Sequence, residues 1–403
     1  MEKFIEKLSR RSFLCLGLFT ASLILSSLQT ISAAPGYAEW FGYEESLGDF
    51  WKFEEVTDDP FQVKIQHKGV TSSDVPRRIF VFYPRPSSAY DTAISSIINV
   101  FHEKNINAEF TVFNFRKNPD RGQSGLVAAS KWGAELIFSM GSESTAWLWK
   151  AYRGGDIPVV SVCSKDPVAL GQIDGYDRGS GTNFAFTSLN MPVKWQMAYI
   201  FDLKPDLKNL GILVNNRNVS AVETQAKPIA EYVRSLGIQV INVGIDDPDH
   251  AAEELSEKVR KAVILMRKSD PNLDHSVFWI TGSTAVFREI RTINENSDRV
   301  PVLSLVPDVV KAGDDSAVMA IGITFDSNAQ LAAIYGVDVL SGQVKVGDLK
   351  VGIVTPPDIA ISWRKAREIG MEIPFSFFES ASFIYDYDGR LVRYRGKLVT
   401  SND

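Results

Sequence analysis

From Arg78 onward, short apolar runs alternate with longer stretches whose apolar residues recur every three or four positions. The runs at 79–83, 108–113, 136–138 and 159–162 read as buried strands, and the segments 88–103, 121–132 and 143–153 between them read as helices. A stretch rich in Gly, Asp, Thr and Ser at 171–190 breaks the pattern and suits a crossover. A second series follows, with strands at 210–214, 239–243, 277–280, 302–305 and 318–321. Helices are expected at 220–236, 249–268, 283–296 and 326–341, with Asp249 as an N-cap and Glu253 near the first turn. Strand–helix alternation of this kind builds parallel sheets. The expected fold class is therefore α/β: two Rossmann-like lobes with parallel sheets, joined by a hinge. Lobe 1 is expected over 78–188 plus part of 325–386, and lobe 2 over 189–324 plus the adjoining segment. The hinge is expected near 185–192, 322–326 and 349–356. In such sheets the loops at the carboxyl ends of strands contact ligands, so two lobes would aim them into a shared cleft.

The ends of the chain read differently. Residues 1–38 run from a basic region (Lys3, Lys7, Arg10, Arg11) through an apolar core of about fifteen residues to Ser32-Ala33-Ala34, the order of a cleaved signal peptide. Ser9-Arg10-Arg11-Ser12-Phe13-Leu14 resembles the twin-arginine signal, which carries folded proteins across the bacterial inner membrane. Cleavage after Ala34 or after Ala38 fits, and the mature protein would be periplasmic. An uncleaved anchor is the alternative, but a span needs about twenty strongly apolar residues. Cys15 sits at the start of the apolar core rather than after it, which argues against lipidation. The segment 39–77 mixes Trp40, Phe41, Tyr43, Phe50, Trp51, Phe53 and Phe61 with acids and fits neither a clean helix nor a clean strand. It reads as an extension that packs its rings on the following domain, or as a docking arm. Residues 387–403 read as a C-terminal tail.

Composition narrows the function. Charged residues at 23% and hydrophobic ones at 45% are those of an ordinary globular protein, and about 365 residues after the leader make about two domains. The formal charge is −6; removing a leader with four basic and two acidic residues leaves −8, which gives no electrostatic footprint for nucleic acid. Once Cys15 leaves, only Cys163 remains, so no intrachain disulfide can form. A monomer is expected.

Several segments, in order, resemble the ABC-transporter substrate-binding proteins related to the tryptophan- and phenylalanine-binding proteins. They are Ile157-Pro158-Val159-Val160 with Asp166-Pro167-Val168, Leu210-Gly211-Ile212-Leu213-Val214-Asn215 with Ser220, and Val300-Pro301-Val302. Leu340-Ser341-Gly342 and Ala366-Arg367-Glu368-Ile369-Gly370-Met371-Glu372-Ile373-Pro374 complete the set, and the resemblance spans roughly 78–386. It implies a type I periplasmic-binding fold that captures a small-molecule ligand for an inner-membrane ABC permease and its ATPase. The same fold serving a membrane sensor is the alternative.

The loops this family uses can be read residue by residue. After the first strand come Tyr83-Pro84-Arg85-Pro86-Ser87-Ser88, and after the third Gly141-Ser142-Glu143-Ser144-Thr145; Ser87, Ser142 and Ser144 at helix starts suit an acceptor-rich ligand group, or else cap their helices. Ser164 lies in the fourth loop, where Lys165 is expected to pair with Asp166. Lobe 2 offers Asn215, Ser220, Thr281, Ser283 and Thr324, donors and acceptors without charge. Phe325, Tyr83 and Trp147 are candidate aromatic walls or simple core. Family members often carry acids where this chain has Gly282, Val306 and Thr324, so the counter-charge for an amino-acid ammonium is missing unless Glu143 or Asp326 supplies it. The ligand is then an amino acid or another small polar compound.

Catalysis is the rival class. His67, His102, His250 and His275 are scattered, there is no cysteine cluster, and neither a nucleophile elbow nor a phosphate loop occurs, so no cofactor or metal is expected. Asp246-Asp247-Pro248-Asp249-His250 reads as a loop feeding a capped helix. A Ser-His-acid site assembled from distant segments is the form a hydrolase would take.

Overall fold

A computed structural model describes residues 36–68 and 75–399; the leader, up to Pro35, lies outside them. The first sheet is built from β1 (Trp51–Glu55), β2 (Gln62–His67), β3 (Arg77–Tyr83), β4 (Ala108–Asn114), β5 (Leu136–Met140), β6 (Val159–Val162) and β7 (Phe184–Ala185). Their spatial order is β1-β2-β4-β3-β5-β6-β7, with β4-β3-β5-β6-β7 parallel. Residues 79–83 of β3 are buried on both faces, as expected of a strand covered by helices. Those helices are α1 (Ser88–Glu103), α2 (Pro119–Trp132) and α3 (Gly141–Tyr152). Helix α2 starts at Pro119 behind the cap Asn118, whose side chain accepts from the Arg121 N–H, and ends on Gly133 at φ +75°. A two-residue strand β8 (Thr187–Ser188) ends this part of the chain.

The second sheet begins after α4 (Val193–Leu203) with β9 (Asn209–Asn215). Next come α5 (Val219–Ala221), a π-turn at Val222–Ala226, α6 (Lys227–Ser235), β10 (Gln239–Ile245), α7 (Ala251–Met266) and β11 (Ser276–Ile280). Then α8 (Thr284–Phe287), α9 (Ile290–Asn296), β12 (Val302–Ser304) and β13 (Met319–Gly322) complete the parallel part, in the order β10-β9-β11-β12-β13. Helix α10 (Phe325–Leu340) returns to pack on α1 and β6 of the first sheet. After β14 (Gly352–Ile353), paired with β8, the chain rejoins the second sheet through β15 (Asp358–Ser362), α11 (Trp363–Glu368), α12 (Phe375–Ser380) and β16 (Phe383–Tyr385). Two more strands, β17 (Leu391–Tyr394) and the edge strand β18 (Lys397–Leu398), finish it. The chain thus passes between the sheets three times: after β8, after β13 and after β14.

Several details depart from the sequence reading. The aromatic segment forms β1 and β2, which pair antiparallel with each other, and β2 pairs antiparallel with β4, so the segment extends the sheet rather than merely packing on it. Its periodicity was obscured because both turns and strands carry rings: Trp51 is buried while Phe50 is 44% exposed. The tail likewise contains strands, not an appendage. The helix expected at 220–236 is interrupted by the π-turn, next to Pro228, which cannot donate a helical hydrogen bond. The helix expected at 283–296 is two, α8 and α9. Asp249 is not the cap of α7: the Asp247 side chain accepts from the Asp249 N–H and starts a 3-10 turn, and α7 begins after His250.

The interlobe cleft as candidate site

The loop after β6 meets the loop after β11: the side chain of Lys165 reaches the Gly282 carbonyl at 3.2 Å. The Lys165 loop is built rigidly. Cys163 sits at φ +52°, an uncommon conformation for a residue with a side chain, and its N–H donates to Asn328 Oδ1 of α10 at 2.7 Å. The Lys165 N–H donates to Ser142 Oγ at 2.9 Å, and the Ser164 carbonyl accepts from the Leu189 N–H at 2.8 Å. These bonds aim Lys165 across the cleft. The expected Lys165–Asp166 pair does not form: Asp166 accepts from the Val168 and Ala169 N–H groups and from the Tyr176 hydroxyl, as a turn-forming acid does.

Beside Lys165, Arg85 donates to Glu143 at 2.9 Å, and Lys117 pairs with the other Glu143 oxygen at 2.6 Å. Burial pushes against its charge, but these two cations hold the Glu143 carboxyl below the usual range. Burial, reinforced by the like charge of Arg85, pulls the Lys165 ammonium down to about 8. On the opposite wall the Gln225 side chain accepts from the Gly282 N–H at 2.8 Å and donates to Asn190 Oδ1 at 3.4 Å. A Cβ on residue 282 would stand 3.3 Å from Gln225 Oε1, a tight approach, and 3.5 Å from Lys165 Cε, an ordinary contact. Asp308, after β12, accepts from the Phe325 N–H at 3.4 Å, and burial pushes its carboxyl up to about 7. Asp326 is engaged by Ser96, Gln330 and Arg395. Neither Glu143 nor Asp326 is therefore an unpaired acid.

A family model described as ABC transporter substrate binding protein matches residues 86–382. The chain belongs to that family. A search of curated proteins returned no significant match. Among solved structures, a conserved domain protein from Vibrio cholerae O1 biovar El Tor aligns at TM-score 0.61 and 17% identity, covering 77% of this chain and 100% of that one. A Streptococcus pneumonia ABC domain in complex with L-Trp aligns at 0.59 and 18%, covering 76% and 99%. A ligand-free, open substrate-binding protein with adhesive properties from Clostridium difficile aligns at 0.56 and 20%, covering 76% and 98%. At these identities the likeness establishes the fold, the two-lobed type I periplasmic-binding architecture. Substrate-binding proteins of this family work outside the cytoplasm with a small-molecule ligand and an ABC transporter as partners. Among the described residues no helix is long and apolar enough to cross a membrane.

Of the eleven expected ligand residues, Tyr83 and Asn215 end strands, Ser142 and Ser144 lie in α3, Ser220 in α5 and Phe325 opens α10, the rest stand in the connections, and most of their polar atoms have local partners. Tyr83 is fully buried, donates to the Tyr90 carbonyl at 2.9 Å and packs edge-on against Trp40. Ser144 is held by Ser139 at 2.9 Å, and Ser142 and Ser164 contact each other at 3.5 Å. Asn215 Oδ1 accepts from the Arg217 N–H, and Ser220 donates to Asn218. Thr281 donates to the Leu213 carbonyl, while Ser283 accepts from the Asn215 N–H at 3.3 Å. Thr324 caps α10 and donates to Asp358 at 3.0 Å; Phe325 is 9% exposed and joins the core. Ser87 differs: it stands at the N-cap of α1 yet makes no side-chain capping bond. Trp147 packs on Phe82 and Phe115, inside lobe 1. Beside Lys165, which was expected to pair with Asp166, the cleft brings in Gln225, Asn190 and Asp308, which carried no signal in the chain. Lys165 had a signal, a cation in a carboxyl-end loop, but the adjacent Asp166 masked it.

Proposed function

We propose that this binding protein captures a small polar ligand in the interlobe cleft, closes on it, and presents it to an inner-membrane ABC permease. The observation that carries the reading is the Lys165–Gly282 bond, which brings carboxyl-end loops of the two sheets within hydrogen-bond reach. A ligand that contacts both walls is bound fully only when the lobes meet, so binding favours the closed form. The three passages between the sheets serve as the hinge. Native mass spectrometry of protein purified from its own periplasm tests this. A co-purified small molecule whose addition shrinks the radius of gyration in solution scattering is the expected result; a bound molecule that leaves the radius unchanged would refute closure.

Export by the twin-arginine machinery, delivery to the periplasm and a monomeric state belong to the same proposal. The fold bears on the cleavage site: Tyr37 is buried against Phe41 at 5.9 Å, and the Gly36 N–H donates to Glu55 at 3.2 Å. Cleavage after Ala38 would remove these contacts, whereas cleavage after Ala34 keeps them, so a mature terminus at Pro35 is expected by intact mass. Replacing Arg10 and Arg11 with lysine should strand the protein in the cytoplasm. Normal periplasmic delivery of that variant would exclude the twin-arginine route.

A further inference from the structure

Lys165 is 8% exposed, yet the only hydrogen-bond partner of its ammonium among the described residues is one carbonyl, that of Gly282. An ammonium has three donors. No carboxylate of the described residues lies within ion-pair distance: Glu143, which contributes a longer-range attraction, is already held by Arg85 and Lys117. Burying a cation without a counter-charge is costly, and chains keep such a group where something else completes it. The loop that carries it is strained at Cys163 and pinned at residues 163, 164 and 165, so the ammonium's position is imposed, not incidental. Arg85 adds positive field from the same wall, and the Ser87 hydroxyl makes no capping bond.

Resting on the reading of the cleft as the capture site, we infer that the ligand carries an anionic group, a carboxylate or its equivalent, which docks on the Lys165 ammonium. Its arrival neutralises the buried charge at the point where the lobes meet, so lobe closure and anion recognition are one event. Burial and Arg85 lower the proton affinity of the free lysine, and a bound anion restores it.

The test uses the mature full chain and probes differing in charge alone: acetate with acetamide, succinate with succinamide, and L-leucine with L-leucinamide. Thermal shift is read for wild type, Lys165→Met and Lys165→Arg, and native mass spectrometry identifies any molecule the periplasmic protein already holds. An acid that stabilises wild type while its amide does not, with binding at least ~10-fold weaker in Lys165→Met and partly retained in Lys165→Arg, is the expected result. An anion released from wild type and missing from Lys165→Met supports it equally. An amide that stabilises as well as its acid, an acid that binds Lys165→Met as tightly as wild type, or a neutral or cationic resident molecule overturns it and leaves ligand capture standing. Wild type that holds no molecule and responds to no probe overturns both.

Discussion

Replacing Lys165 with methionine should make the ligand-free protein more stable, although the residue sits in the functional cleft. The proton affinity of Lys165 falls from the ordinary 10.5 to about 8, and at pH 7 that difference corresponds to about 3 kcal/mol of unfavourable burial of the charged form. Methionine of similar length fills the space and loses one hydrogen bond to the Gly282 carbonyl, about 1 kcal/mol. The net gain is about 2 kcal/mol near pH 7. The sign follows from proton counts: the unfolded lysine stays protonated up to 10.5 and the folded one only to about 8, so the unfolded state binds more protons between those values. Wild-type stability, as far as this group controls it, therefore rises with pH across that window, and the advantage of methionine shrinks to nearly nothing by about pH 10. Urea denaturation of ligand-stripped proteins at about pH 7 and about pH 10 reads both effects. A variant less stable than wild type near neutrality, or a gap that does not change with pH, would refute the reasoning.

Other expectations follow from single contacts. Gly141→Ala should destabilise by about 3 kcal/mol or more, read by urea midpoint, because residue 141 lies at φ +76° and the new Cβ would stand 2.1 Å from the Tyr90 hydroxyl oxygen. Asn328→Ala removes the acceptor for the Cys163 N–H and the Thr187 hydroxyl and should cost about 2 kcal/mol, with faster amide exchange at Cys163 as its local signature. Succinate binding, if Lys165 receives the anion, should weaken toward tenfold per unit above about pH 8 in titration calorimetry, because the bound state keeps the ammonium protonated. Arg85 stays charged, Glu143 is held ionised by its two cations and burial pushes the Cys163 thiol well above its usual value; Asp308, pushed up to about 7 beside Cys163, is the neighbour that titrates near this range, and the Asp308→Asn variant separates its contribution.

How much was legible depends on whether the signal is local. The strands β3, β4, β5, β6, β9, β11 and β12 stand in the chain as apolar runs because a strand buried on both faces needs no partner residue to declare itself. Strands β1, β2, β17 and β18, at and next to the sheet edges, were missed because they are only partly buried and mix charge with aromatics, so their state is set by the neighbour they pair with. The same division runs through the site. Serines and asparagines after strands pointed to particular connections, but not to what their atoms do: the Ser142 hydroxyl accepts from a backbone N–H 23 residues away.

The sequence by itself determined the α/β class, the two-lobed order and the family, since all of these rest on periodicity and on short motifs. Only the tertiary structure decided which charges are answered. Asp166 turns back on its own loop, Glu143 is taken by two cations, Asp326 by Arg395, and Lys165 is left facing the carbonyl of a glycine more than a hundred residues on. Charge pairing is a matter of distances of a few ångströms between remote segments, and adjacency in sequence carries no information about that.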